Sequence, residues 1–133
     1  MGDERLRLEV VTPQRRLLEA DVAEVRIPGA LGEMGVLPGH TPLLTSLGTG
    51  PLTYFEGRTP ERLVVQGGFA EVLPDRVTVL ARIAERRAEI DVASAREELR
   101  DAEEAMRTAT ADELDELRRR AQLGAARLEV GGG

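Results

Sequence analysis

The sequence contains no cysteine, no tryptophan and no lysine. Without cysteine there is no disulfide, no thiolate nucleophile and no cysteine-based zinc site. All 18 basic residues are arginines, the cation best shaped to pair with carboxylates and phosphates through two bonds. A total lack of lysine fits a genome-wide codon bias better than selection for arginine chemistry. Aromatic residues are nearly missing: Tyr54, Phe55 and Phe69 give a base-stacking surface almost no material. The net charge of −6 weighs further against general nucleic-acid binding. There is one histidine, His40, between Gly39 and Thr41. Alone, it can neither build a histidine-based metal site nor activate a cysteine, so it reads as a structural or interface residue. No apolar run approaches the ~20 residues needed to span a bilayer. The opening MGDERLRLEV lacks the apolar stretch of a signal peptide. The expectation is a cytosolic chain that meets a membrane only through partners.

What is present divides into two halves. With 133 residues and 41% hydrophobic content, the chain suits one domain and an appendage. From Leu6 to about Ala84 the runs are short and strand-like. LRLEVV alternates Leu6, Leu8 and Val10 against polar neighbours, and VAEVRI does so less cleanly. RLVVQ, FAEVL and RVTVLA are further β-branched runs. Turn signals separate them: Pro13, Pro28-Gly29, Pro38-Gly39, Gly48, Gly50-Pro51, Gly57, Gly67-Gly68 and Pro74-Asp75. This spacing predicts an all-β sandwich or barrel.

After Glu85 the pattern changes period. Between Asp91 and Leu128 there is no proline, and the only glycine is Gly124. Val92, Ala95, Leu99, Ala102 and Met106 step by three and four, one stripe of a helix capped by Asp91. Leu114, Leu117, Ala121 and Leu128 form a looser second stripe. Thr110 and Glu113 fit a capping box. Glu103–Arg107, Asp115–Arg119 and Glu116–Arg120 are acid-before-base pairs at i,i+4. The break near Thr108-Ala109 predicts an antiparallel αα-hairpin, with the final GGG disordered. The stripes hold few large side chains, so the hairpin is expected to dock weakly, which suits an element that can rearrange; a static hairpin is the equally weighted alternative. Gly124, in a helix interior, costs ~1 kcal/mol relative to alanine and marks a weakened or fraying segment.

The residues offer little for catalysis. Most acids lie on alternating-charge helix faces, which are normally solvated. Glu33, among small residues in ALGEMG, is a carboxylate on an expected exposed loop. Gly29, Gly32 and Gly35 do not have dinucleotide-fingerprint spacing, and they read as backbone geometry. A small hydrolase is disfavoured, because no serine, cysteine and histidine constellation is apparent.

Two segments carry a family resemblance. The stretch Pro28 to Leu44 reads PG-x-x-G-E-x-G-V-L-P-G-H-x-P-L-L, and Val64 to Ala81 reads VVQGGFAEVLPDRVTVLA. With AERRAEID and the two helices following in order, the whole chain resembles the epsilon subunits of bacterial F-type ATP synthases, whose mitochondrial counterpart is called delta. The resemblance implies an α+β fold: an N-terminal antiparallel β-sandwich over 1–86, then a C-terminal antiparallel αα-hairpin over 87–133. It implies a non-catalytic rotor subunit at the foot of the central stalk, with no cofactor. The sandwich would grip the gamma subunit and rest on polar loops of the c-ring, on the cytoplasmic face of the cell membrane. The hairpin would be able to lift toward the alpha and beta subunits and restrain ATP hydrolysis.

The same resemblance places roles on residues. Gly29, Gly32, Glu33 and Gly35 match the c-ring-facing loop, with His40 beside it. Arg118, Arg119, Arg120 and Arg127 resemble basic residues that face an acidic segment of the beta subunit. Pairing with Asp115 and Glu116 is the plainer alternative for them. Some members bind ATP through I-D-x-x-R-A. Here Ile90, Asp91 and Ala95 match, the preceding acid is Glu85, and Ser94 replaces the arginine. Loss of one charged phosphate contact costs about 1.5–3 kcal/mol, so ATP binding is expected to be weak or absent. A free-standing nucleotide sensor is therefore the weaker alternative.

Overall fold

A computed structural model describes residues 4–132. Eight strands come first: β1 (Leu6–Val11), β2 (Arg16–Val22), β3 (Glu24–Gly29), β4 (Gly32–Val36), β5 (Leu43–Ser46), β6 (Thr49–Phe55), β7 (Pro60–Leu73) and β8 (Arg76–Arg86). A single 3₁₀ turn, Arg87–Glu89, leads to α1 (Val92–Met106) and α2 (Ala111–Gly132). The sheet order is β2-β1-β8-β7-β6-β3-β4, with β5 also paired to β7. All pairs are antiparallel except β1 with β8, which is parallel. The α+β class and the sandwich-plus-hairpin layout follow the expectation, and that one parallel pair refines it.

Alternation explains the core. In β1 Leu6, Leu8 and Val10 are buried while Arg7 and Glu9 are half-buried on the other face. The same period turns Leu17, Val25, Ile27, Leu52, Val77 and Val79 inward, and the sheet folds over the single core they form. Each such side chain contributes about 1.5–3 kcal/mol by leaving water.

Gly67-Gly68 is not a turn. β7 runs through both glycines as one 14-residue strand, with φ +71° and +101°. Upstream, Pro60 to Gln66 pair with β6; downstream, Phe69 to Val72 pair with β5. The glycines bend the strand so that it serves both partners, a role glycine takes at sandwich corners. A Cβ on Gly68 would collide with the Leu80 carbonyl oxygen.

The helices begin as the sequence indicates. The Asp91 carboxylate accepts from the Ser94 backbone N–H at 3.1 Å. Glu113 accepts the Thr110 backbone N–H at 2.9 Å and its hydroxyl at 3.1 Å. The ion pairs are only partly those expected. Glu116 takes both Arg119, at 2.9 Å, and Arg120, at 3.4 Å. Three glycines overturn expectations. Gly124 is buried where α1 crosses, its Cβ position 3.1 Å from Leu99 Cβ, so it is a packing notch and not a fraying point. Gly131 and Gly132 are helical, and of the final three glycines Gly133 alone lies outside the described residues. A Cβ on Gly131 would stand 2.9 Å from Ile90 Cγ2, so the close approach of α2 to the β8–α1 connection favours glycine there.

α2, not α1, lies on the sandwich, against β6 and β7. Its apolar contact is small: Val64, Ala126 and Val130 are buried, with Ile90 and Leu123 packed beside them. One polar tie adds to it. The Gln66 side-chain amide donates to the Arg119 carbonyl and to the Thr49 hydroxyl, both at 2.9 Å.

Candidate functional site

The stretch from Gly29 to Gly35 is a β-hairpin. β3 and β4 pair from Val25–Val36 to Gly29–Gly32, leaving Ala30 and Leu31 as its two-residue tip. Gly32 has φ +135°, where an L side chain is strained, and a Cβ on Gly29 would press the Gly32 carbonyl oxygen at 2.9 Å. Gly35 has no such constraint: it sits in β4 opposite Arg26, where a Cβ would meet only Glu24 Oε2, at 3.9 Å. The Ala30 N–H donates to the Ser46 carbonyl at 2.9 Å, which fixes the tip against β5. Leu31 is fully exposed, and Glu33 is exposed beside it. A shallow groove of about 430 Å³ runs between Leu31, Glu33 and Met34 on one side and Leu44 to Ser46 on the other.

His40 is not beside this tip. It follows the far end of β4, about 14 Å away from Gly32 at ~3.4 Å per residue. Its turn is held by the Gly39 N–H donating to the Pro74 carbonyl at 2.7 Å. His40 Nδ1 donates to the Thr41 carbonyl at 2.7 Å, leaving Nε2 as the outward group. β5, with exposed Leu43 and Leu44, bridges the two ends.

A second surface was not legible as a site. On β7 and β8 two residues out of phase with the core are large and apolar, among polar neighbours such as Glu71, Thr78 and Arg82: Phe69 and Leu80 pair across the strands and are 55% and 53% exposed. With Val11 and Pro13 they line a depression of about 370 Å³ whose walls are almost wholly apolar. Exposed apolar patches of this kind mark protein contacts. The signal available in the sequence was apolar residues on both phases of FAEVL and RVTVLA.

The arginines expected to share one role differ in their surroundings. Arg118, Arg119 and Arg120 are exposed on α2 and pair with Asp115 or Glu116, the plainer alternative. Arg127 is different. Its Nε and Nη2 donate to the two Glu85 oxygens at 2.8 and 2.6 Å, and its Nη1 donates to Glu98 at 2.8 Å. Glu85, and then Glu98, hold its proton more tightly than usual against partial burial.

The positions of the degenerate nucleotide motif are engaged in the fold. Glu85 holds Arg127, Asp91 caps α1, Ala95 is buried under Gly124, and Ile90 packs on Gly131. Ser94, exposed, contributes its backbone N–H to the Asp91 cap.

A sandwich whose distinctive residues lie on hairpin tips and outer faces, with a helical arm at its side, is a docking module. Comparisons identify the kind. Residues 5–87 match the family model for the β-sandwich domain of the ATP synthase delta/epsilon chain. The ATP synthase epsilon chain 2 of Syntrophotalea carbinolica is 43% identical over 131 residues, 97% of this chain and 95% of that one. That of Syntrophobacter fumaroxidans is 44% identical over 129 residues, 96% of each chain. A chain in the cryo-EM structure of the Euglena gracilis mitochondrial ATP synthase OSCP/F1/c-ring has the same fold, with a TM-score of 0.84 at 24% identity. That match covers 100% of this chain and 84% of that one. The chain belongs to the ATP synthase epsilon-chain family.

Proposed function

We propose that the chain is a non-catalytic central-stalk subunit that couples c-ring rotation to the catalytic core of a proton-translocating ATP synthase. The observation that carries this is the end-to-end likeness to epsilon chains. The surfaces divide the work. The apolar face around Phe69 and Leu80 suits a permanent grip on gamma. The β3–β4 tip, with Glu33 beside Leu31, suits polar c-ring loops, where a carboxylate would accept from an arginine. Gly29 and Gly32 shape that tip, Gly35 keeps β4 bare, and His40 offers Nε2 from the other end of the same flank. Arg118, Arg119 and Arg120 are the cations that remain outermost for a carboxylate of the beta subunit. The subunit works on the cytoplasmic face of the bacterial inner membrane, held there by its complex. The sandwich, 1–86, is the coupling unit, and the helices, 87–133, are the conditional inhibitor of ATP hydrolysis.

The test is co-purification. The intact chain is expected to be recovered with gamma and the c-ring. Phe69→Glu with Leu80→Glu should cut recovery tenfold or more while the lone chain stays folded by circular dichroism. Full recovery of the double variant would remove that face from the gamma contact, and a wild-type chain that purifies alone would reject the function. A free-standing nucleotide sensor is less well supported, because Glu85, Asp91 and Ala95 already have structural partners.

A further inference from the structure

Three elements meet at one guanidinium. Arg127 on α2 reaches Glu85 at the end of β8 and Glu98 on α1. The Arg127 and Glu85 side chains are only 20% and 24% exposed, unlike the paired helix-surface arginines 118 to 120, which range from 47% to 65%. Two parallel N–H···O bonds to Glu85 fix direction as well as charge, and partial burial protects them from screening. The contacts are 42 and 29 residues apart in sequence, so lifting α2 away from β8 and α1 must break them.

Two glycines on the same helix point the same way. Glycine at 124 and 131 costs helix propensity whether the hairpin is closed or open, because both lie inside α2. In the folded hairpin, a side chain at 124 would press Leu99 and the Ala95 carbonyl, and one at 131 would press Ile90 and Val92. Relative to a residue with a side chain, both glycines therefore favour the closed arrangement. The apolar contact between α2 and the sandwich is confined to Val64, Ala126 and Val130, with Ile90 and Leu123 beside them.

We propose that Arg127, clasped by Glu85 and Glu98, is a latch that holds α2 on the sandwich, with Gly124 and Gly131 as the notches that let it close. Closed, Arg127 is neutralised within the chain. It becomes available to a partner's carboxylate only when the hairpin lifts, whereas Arg118 to Arg120 are reachable in both states. The latch needs no nucleotide: its carboxylates come from β8 and α1, and its cation comes from α2. The regulatory consequence rests on the proposed reading of the hairpin as a conditional inhibitor; the latch itself does not.

Hydrogen exchange on the intact chain tests it, with β7 and β8 amides as the internal reference. Glu85→Gln and Arg127→Gln should each speed exchange of α2 amides tenfold or more while β7 and β8 amides are unmoved. Glu98→Gln, at the more exposed partner, should have a smaller effect. Gly124→Ala should also speed exchange of α2, although alanine is the better helix former. Unchanged α2 exchange in Glu85→Gln and Arg127→Gln overturns the latch, and slower exchange in Gly124→Ala overturns the notch. A second measurement separates the two readings: ATP hydrolysis by the assembled complex carrying Glu85→Gln should fall. Faster α2 exchange with unchanged hydrolysis supports the latch and rejects the inhibitory reading of the hairpin.

Discussion

At Gly68 the backbone has φ +101°, and the Leu80 carbonyl occupies the space a side chain would need. Gly68→Ala is expected to cost on the order of 3 kcal/mol or more, combining left-handed strain with a backbone collision. A denaturant midpoint shift in the intact chain checks it. Gly35→Ala, on β4 where a Cβ makes only an ordinary contact with Glu24, should shift the midpoint little. Sequence reading placed a turn at Gly67-Gly68 because paired glycines usually punctuate a chain. Here the pair bends a strand, and that depends on β5 and β6 both claiming β7, a fact no local window holds. Arg127 was legible only as one of four basic residues expected to face the beta subunit. Its carboxylates lie 42 and 29 residues away, and no periodicity brings them to it. Glu33 was legible because an acid among small residues is unusual, whereas Leu31, the outermost residue of the same tip, gave no signal beyond being a leucine in a turn.

Among the elements, the strands with clean alternation and the capped helices were the most readable. β1 follows its pattern residue for residue, and Asp91 and Thr110 stand where the helix starts require them. Those caps carry a pH dependence. The Ser94 backbone N–H holds the Asp91 carboxyl below its ordinary value, and the Thr110 backbone N–H does the same for Glu113. Glu89, at the entry to the hairpin, is lowered to about 2 by the Arg15 guanidinium, helped by the Arg86 backbone N–H. Each group ionises more readily folded than unfolded, so its stabilisation is complete above the ordinary carboxylate range. It is lost as pH falls from about 4.5 toward 2. The helical signal at 222 nm is expected to decline across that window before the sheet melts. Asp91→Asn with Glu89→Gln should flatten the decline; an unchanged acid profile would show that these carboxylates do not govern it. The C-terminal glycines were misread for the opposite reason to the caps. Glycine argues against helix locally, and only the proximity of Ile90 and Val92 explains why a helix there carries it.

Over the whole molecule, the sandwich and the hairpin are bound together very unequally. Nineteen buried residues make the sandwich core, and three join α2 to it. Unequal cohesion of this kind lets one part hold its partners while the other opens at far smaller cost. The family was legible because its signature lies in segments constrained twice over, by turn geometry and by outward-facing residues. The hairpin's resting state was not legible, because it turns on one salt-bridge cluster and two close approaches. No helix among the described residues is long and apolar enough to cross a membrane. The division of labour is tested most directly by ending the chain after Asp91 and measuring ATP synthesis and hydrolysis by the assembled complex. The account predicts that the shortened chain still assembles, that synthesis is retained and that hydrolysis rises. Loss of the shortened chain from the complex, or hydrolysis that does not change, would contradict it.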